Sequence, residues 1–375
     1  MISTIALDNK VLRPGLCTGC GACQGLCPYW DSVRGRTILY FECDREDGRC
    51  VRFCPRMPAD LPALLRASFP DEQILPELGP FRGLYLTRAA DPAVRDGAQH
   101  GGTMTALVEL ALREGFIDSA VLARSRGGLE PEGVLAVTPE EVRACRGSSF
   151  QIPPTLAVLN RALKENRYHS IGVVGTPCKT LAVYKMKAQP FAENTHHAEN
   201  IGMVFGLFCG WGLDWDGTEA LVRRHADPAA VSHMDIPPSK YHCMTLQTDG
   251  AEQSVNLDEV EPLVRGSCRL CADMTAEFSD LSVGGARSGD GWDVDRGWNQ
   301  LLIRTVRGQA LFDRALETGV LECKPLPEGN LAKLRRASLG KKRTAVRNLA
   351  AATGDPEDLS YLTPCASWLR ELTEP

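Results

Sequence analysis

From Leu84 to about residue 300, short apolar runs alternate with amphipathic stretches. That rhythm predicts an α/β fold, a mixed or parallel sheet with flanking helices. The first long helix is well marked: Met104, Leu107, Val108, Ala111 and Leu112 recur at i, i+3, i+4, i+7 and i+8, and Gly115 stops the run. Two apolar strands each lead to a cysteine. Residues 170–174 run into Gly175-Thr176-Pro177-Cys178-Lys179 and a helical stretch from Thr180 to Lys187, while residues 201–205 run through Gly206-Leu207-Phe208 into Cys209. In a parallel α/β sheet the ligand crevice lies at the carboxyl ends of strands, so both thiols should face one region. A further strand, residues 280–285, follows Cys268-Arg269-Leu270-Cys271-Ala272-Asp273.

Outside this core the pattern changes. Residues 1–60 are turn-rich and poor in continuous apolar sequence, as expected of a small module held together by metal. A proline-containing stretch, 61–81, reads as a linker, the core spans 82–305, and residues 306–375 read as a C-terminal helical region. Its cationic stretch from Lys333 to Arg347 reads as the solvated face of a late helix.

Length and composition narrow the functional classes. A chain of 375 residues suits two or three domains, and 43% hydrophobic with 24% charged content is that of a soluble globular protein. A net charge of -5 leaves no basic footprint for nucleic acid. Fifteen cysteines, many at metal spacing, argue for a reducing compartment. No apolar run reaches the length of a membrane span and no signal core precedes the chain's first turns, so a cytoplasmic location is expected.

The chemistry is concentrated in cysteine. Seven stand in the first 54 residues, and Cys17-x2-Cys20-x2-Cys23-x3-Cys27-Pro28 matches the bacterial ferredoxin run, in which the fourth thiolate crosses to a neighbouring cluster. The second half is imperfect. Cys50-x3-Cys54-Pro55 repeats the end of the motif, but a regular repeat would put thiolates at 44 and 47, where the chain has Asp44 and Asp47, with Cys43 one place early. The two-cluster plan therefore assigns Cys17, Cys20, Cys23 and Cys54 to one cluster. Cys27, Cys43, Cys50 and Asp47 would hold the other. A carboxylate is a harder ligand than thiolate, so that second cluster is expected to be labile, three-iron or absent. The alternative leaves Cys27 and Cys43 as spare thiols beside a single cluster.

Cys178, Cys209, Cys268 and Cys271 make a further set of four. Zinc, a redox dithiol or a cluster edge would each fit Cys268-x2-Cys271 alone. Because no histidine pair stands at zinc-finger spacing nearby, a further four-iron four-sulfur (4Fe-4S) cluster is favoured over structural zinc, and a nucleophile at Cys178 ranks lower. Cys145, Cys243, Cys323 and Cys365 lack metal spacing and read as buried apolar residues. Cys145 also precedes Arg146-Gly147-Ser148, and could approach a cofactor or complete the N-terminal ligand set. The Gly101-Gly102 pair at a helix start leaves free N–H groups for an anion, but taken alone it reads more readily as a plain loop.

At these residues the chain resembles the beta subunits of hydrogenases and formate dehydrogenases that use the deazaflavin coenzyme F420. The matching stretches are Gly101 to Leu107, Arg146-Gly147-Ser148-Ser149, Gly175 to Lys179, Gly206 to Cys209, and Cys268 to Asp273 with residues 280–284. The resemblance implies a flavin-binding α/β domain carrying FAD and a four-iron cluster. By motif match, Gly101, Gly102, Thr103 and Thr105 would lie near the FAD phosphates, and Gly147, Ser148, Thr176, Lys179 and Asp273 around the flavin. The chain departs from the family at His100, at Lys179 in place of a frequent glutamine, and at Ser149 in place of a frequent lysine.

Clusters pass single electrons, a flavin stores two, and a hydride acceptor takes both together. The expected function is an oxidoreductase subunit with two or three 4Fe-4S clusters and FAD, working between a redox partner protein and a soluble two-electron carrier. The alternatives are a ferredoxin-dependent reductase of an organic substrate, and an electron-transfer adapter with no substrate of its own. No residue stands out as a catalytic acid or base.

Overall fold

The computed structural model describes residues 3–125, 129–188, 196–237, 239–288 and 291–373. Its centre is an eight-stranded mixed sheet with the spatial order Leu321–Lys324, Gly83–Ala89, Asn299–Ile303, Leu281–Gly285, Ile201–Leu207, Ile171–Gly175, Ser119–Ser125, Pro131–Ala136. The four strands from Leu281–Gly285 to Ser119–Ser125 run parallel, and antiparallel neighbours extend both sides. Helices cover both faces. Thr103–Arg113 and Val306–Glu317 pack on one, where Leu107, Leu110, Phe205, Leu301 and Phe312 are buried together. Thr155–Glu165 and Pro177–Lys187 pack on the other, around Leu156, Leu159, Val173 and Val183.

The apolar pattern of 104–112 forms the helix Thr103–Arg113, and Gly115 takes a left-handed φ of 74° just beyond it. The strands expected near 170 and 201 occur as Ile171–Gly175 and Ile201–Leu207, and that near 280 as Leu281–Gly285. Leu321–Lys324 adds an edge strand from the region read as helical. A separate three-stranded antiparallel sheet, His233–Asp235, Cys243–Thr248 and Ala251–Asn256, packs with the helix Trp215–His225 around Leu221, Met234, Met244, Leu246 and Val255.

The N-terminal segment is stitched to the main body. Within the Cys17–Cys27 loop, Gly21 has φ 85°, and a Cβ there would lie 2.7 Å from the Pro154 carbonyl oxygen, so only glycine allows the close approach. The buried Asn160 donates Nδ2 to the Ala22 and Gln24 carbonyls at 3.0 and 2.6 Å. Arg265 holds the Cys17 and Gly35 carbonyls at 3.2 and 3.1 Å. The segment 61–81 carries the helix Leu61–Ser68 and buries Leu65, Phe69 and Leu78, with Phe69 tilted against Tyr184 at 4.8 Å.

Among the described residues, no helix is long and apolar enough to cross a membrane. The late helix is Asn330–Thr353, but the expectation of a fully solvated cationic face needs correction. Lys342 is 2% exposed and pairs with the buried Glu277, and Lys341 donates Nζ to the Cys209 and Gly210 carbonyls at 2.6 and 2.7 Å. Their partners come from elements some 65 and 130 positions earlier, so the charge run alone could not orient them.

Candidate functional site

The cysteines fall into three electrostatic groups. Desolvation pushes Cys23 well above the usual thiol range, and Cys20, Cys17, Cys54 and Cys50 push it further. Cys54 is raised by burial and then by Cys17. Cys17, Cys20, Cys23 and Cys54 form the first group. Cys50 is pushed up to about 11 by burial and by Cys27 and Cys43, which defines the second. The third is Cys178, Cys209, Cys268 and Cys271: burial raises Cys209, and Cys268, Cys178 and Cys271 raise it further. The first group meets the third through Cys20, held at about 12 by burial and by Cys178 and Cys54. The second meets the first through Cys50 and Cys23.

Buried thiols that raise one another in this way are costly as thiolates unless a cation compensates them. Their sulfurs also accept main-chain donors: Gly19 N–H to Cys17 at 3.4 Å, Arg45 to Cys43 at 3.3 Å, Arg56 to Cys54 at 3.4 Å, and Gly212 to Cys268 at 3.3 Å. Cysteine quartets with N–H groups on sulfur fit iron–sulfur clusters. Among the described residues, no three His, Cys, Asp or Glu side chains close on a single metal ion.

Asp47 is held elsewhere. Its side chain is 57% exposed and paired with Arg52, which pulls its carboxyl below the ordinary value. In the structure the second group is Cys50 with Cys27 and Cys43 as its neighbours, and Cys27 is exposed. Cys145 lies apart from all three groups, facing Arg124, Glu141 and Glu132. Of the remaining cysteines, Cys365 is buried as expected, Cys243 is half-buried, and Cys323 is exposed because it projects outward from an edge strand.

Three cations surround the third group. Arg56, two residues after Cys54, is buried, donates to the Ser267 carbonyl at 2.9 Å, and lies 4.3 Å from the Tyr361 ring centroid. Burial alone would push Cys271 up, but Lys341 and Arg56 bring it below its ordinary value. Lys179 is 4% exposed, so it does not face solvent from its helix start. Burial lowers its ammonium pKa, opposed by Cys178, Cys20 and Cys209. No sequence pattern pointed to Arg56 or Lys341; the only signal for Arg56 was its position directly behind Cys54-Pro55.

Beside the third group lies a cavity of about 700 Å³. That is within the usual size of a ligand pocket, roughly 300–1,000 Å³. Gly102, Thr103, Thr105, Gly147, Ser148, Thr176 and Lys179 line it, and so do Cys209, Cys145 and His100. The first turns of the helices Thr103–Arg113 and Pro177–Lys187 both open on it; neither N-cap residue caps its own helix, although Asn299 Oδ1 accepts the Thr103 N–H at 3.2 Å. Gly102, at φ 71°, starts the first, and Thr176 precedes the second. Uncapped N-termini present N–H donors and a positive dipole end, which suits a phosphate-bearing cofactor. Two expected residues lie outside this wall. Gly101 is a packing position, where a Cβ would meet Arg88 Cβ at 2.8 Å, and Asp273 accepts the Thr275 and Glu277 N–H groups at 2.9 Å each.

Two family descriptions match the chain: coenzyme F420 hydrogenase/dehydrogenase beta subunit, N-term, over residues 84–160, and its C terminus over 168–329. The chain belongs to this beta-subunit family. Among its relatives is the coenzyme F420 hydrogenase subunit beta of Methanococcus voltae, 30% identical over 269 residues, covering 70% of this chain and 92% of the relative. The corresponding subunit of Methanothermobacter thermautotrophicus is 29% identical over 279 residues, covering 73% and 96%. The fold is also similar to a chain of the F420-reducing [NiFe] hydrogenase complex from Methanosarcina barkeri, with a TM-score of 0.66, 26% identity, and coverage of 74% of this chain and 96% of that one. The family match takes in all four cysteines of the third group and the glycine-rich start of the helix Thr103–Arg113. Cys17 to Cys54 precede it, and the helix Asn330–Thr353 follows it.

Proposed function

We propose that this beta-subunit family member is an iron–sulfur flavoprotein subunit. It would pass electrons between thiolate-held clusters and FAD, and exchange hydride with a soluble two-electron carrier such as coenzyme F420. The observation that carries the reading is the succession of neighbouring thiols: Cys27 and Cys43 lie beside Cys50, Cys50 beside Cys23, Cys20 beside Cys178, and Cys209 lines the large cavity.

The first and third groups would each hold a 4Fe-4S cluster, and the second an incomplete one. FAD would occupy the cavity, with Gly102, Thr103 and Thr105 near its phosphates and Gly147, Ser148, Thr176 and Lys179 around its ring. When bound, the flavin supplies the conversion between one-electron and two-electron transfer. The chain's own part is positional and electrostatic. Arg56, Lys179 and Lys341 offset the charge of the third group, and the helix walls shield the path from water. A redox partner protein in a larger oxidoreductase complex would supply or accept electrons at the second group, whose Cys27 is exposed.

The test is anaerobic purification of the full chain, with iron, sulfide and flavin measured and the reduced protein examined by EPR. About eight to twelve irons and one FAD per chain, with reduction of coenzyme F420 by a one-electron donor, is the expected result. Zinc without iron, or a protein that binds no flavin, would overturn the reading.

A further inference from the structure

The cavity has a third helix N-terminus on its wall, beyond the two placed near the flavin. The helix Asn330–Thr353 begins after Gly329 at φ 78° and has no side-chain cap. Asn330, Lys333, Leu334 and Ala337 from its first two turns line the same space. Asn330 is 2% exposed, and neither its Nδ2 nor its Oδ1 has a hydrogen-bond partner. Buried amide groups are normally hydrogen-bonded, and one with both ends unmatched is costly, so its partner is expected from something that enters the cavity. Among the described residues, the amides of Leu331 and Ala332 donate to no main-chain carbonyl, as expected at an uncapped start. Lys333 adds a positive charge at the exposed edge of the wall.

From this we infer an anion subsite at the start of this helix, in which Asn330 Nδ2, the free amides of Leu331 and Ala332, and the Lys333 ammonium hold a phosphate or carboxylate group. The inference rests on the proposed function for the identity of the ligand. FAD carries one pyrophosphate, and the start of Thr103–Arg113 suffices for that. The third N-terminus is then left for the acidic tail of the hydride carrier. This wall lies just beyond the family match, which ends at residue 329.

Asn330→Asp separates a ligand-binding role from a structural one. A carboxylate in the first helical turn favours the helix through its dipole, but repels an anionic ligand. Lys333→Gln removes the charge from an exposed position. On the full chain, we expect both variants to weaken binding of coenzyme F420 by about tenfold or more, with FAD affinity held in both and melting temperature held in the exposed Lys333→Gln. If FAD affinity falls instead, the subsite stands and its anion is the flavin's own pyrophosphate. Thermal stabilisation by inorganic phosphate, a probe that needs neither cofactor, should be reduced in Asn330→Asp even if the chain proves to bind no flavin. Unchanged phosphate stabilisation together with unchanged affinity for both ligands would overturn the inference.

Discussion

Lys185 donates its ammonium to the main-chain carbonyl of Cys54 at 2.7 Å, and to that of Met57 at 3.0 Å. It thereby ties the helix Pro177–Lys187 to the last thiol of the first group. Lys185→Met keeps the apolar stem but strands two carbonyls, and should cost about 1–3 kcal/mol. Urea unfolding should show a lower midpoint, with iron per chain falling alongside it. Full stability in the variant would mean that this tie contributes nothing.

Asp47 tests the composition of the second group. Because the structure holds its carboxylate against Arg52 at the surface, Asp47→Ala should leave iron per chain and the reduced EPR spectrum unchanged. Cys27→Ser and Cys43→Ser should both reduce the iron. A loss of iron in Asp47→Ala equal to that in Cys27→Ser would instead make the carboxylate a ligand.

Glu277 should leave a signature in stability against pH. Burial pushes its carboxyl up to about 7, against the opposing pull of Lys342. Between its ordinary value and about 7 the folded chain keeps a proton that the unfolded chain releases. This contribution therefore favours folding at low pH and is lost as pH rises through that window, on the order of 3 kcal/mol in all. Glu277→Gln, though less stable overall because Lys342 loses its partner, should lack the decline. Calorimetric melting profiles of variant and wild type that run parallel from pH 5 to 7.5 would refute the assignment.

Lys179 places a buried cation on the cavity wall. Positive charge there stabilises a reduced, more negative flavin, so Lys179→Gln should lower the flavin midpoint potential, on the order of 30 mV or more. Spectroelectrochemical titration reads the shift directly. A potential that rises or stays fixed would show that the ammonium does not act on the ring.

Much of this site was legible in the sequence because it is built from local signals. Strands that run to the threshold of a cysteine, glycines before a helix and the Cys-x2-Cys spacing each depend on neighbours within a few residues. Parallel strand order then carries Cys178 and Cys209 to one edge. What stayed hidden depends on distant partners. Lys342 turns inward to meet Glu277, and Asn330 lines a cavity whose other walls come from residues 98–300. His196 tilts against Phe53 at 4.9 Å, and burial lowers its pKa to about 4. The sheet of Cys243–Thr248 and its neighbours has mixed polar faces, so its alternation is weak.

Cys54 belongs to the first thiol group, and Arg56, only two residues later, is buried among the residues of the third. A rigid Cys-Pro-Arg step thus serves two sites at once. A change that shifts Cys54 therefore also shifts the cation beside Cys271, Cys178 and Cys268, so the two thiol groups are expected to respond together rather than independently.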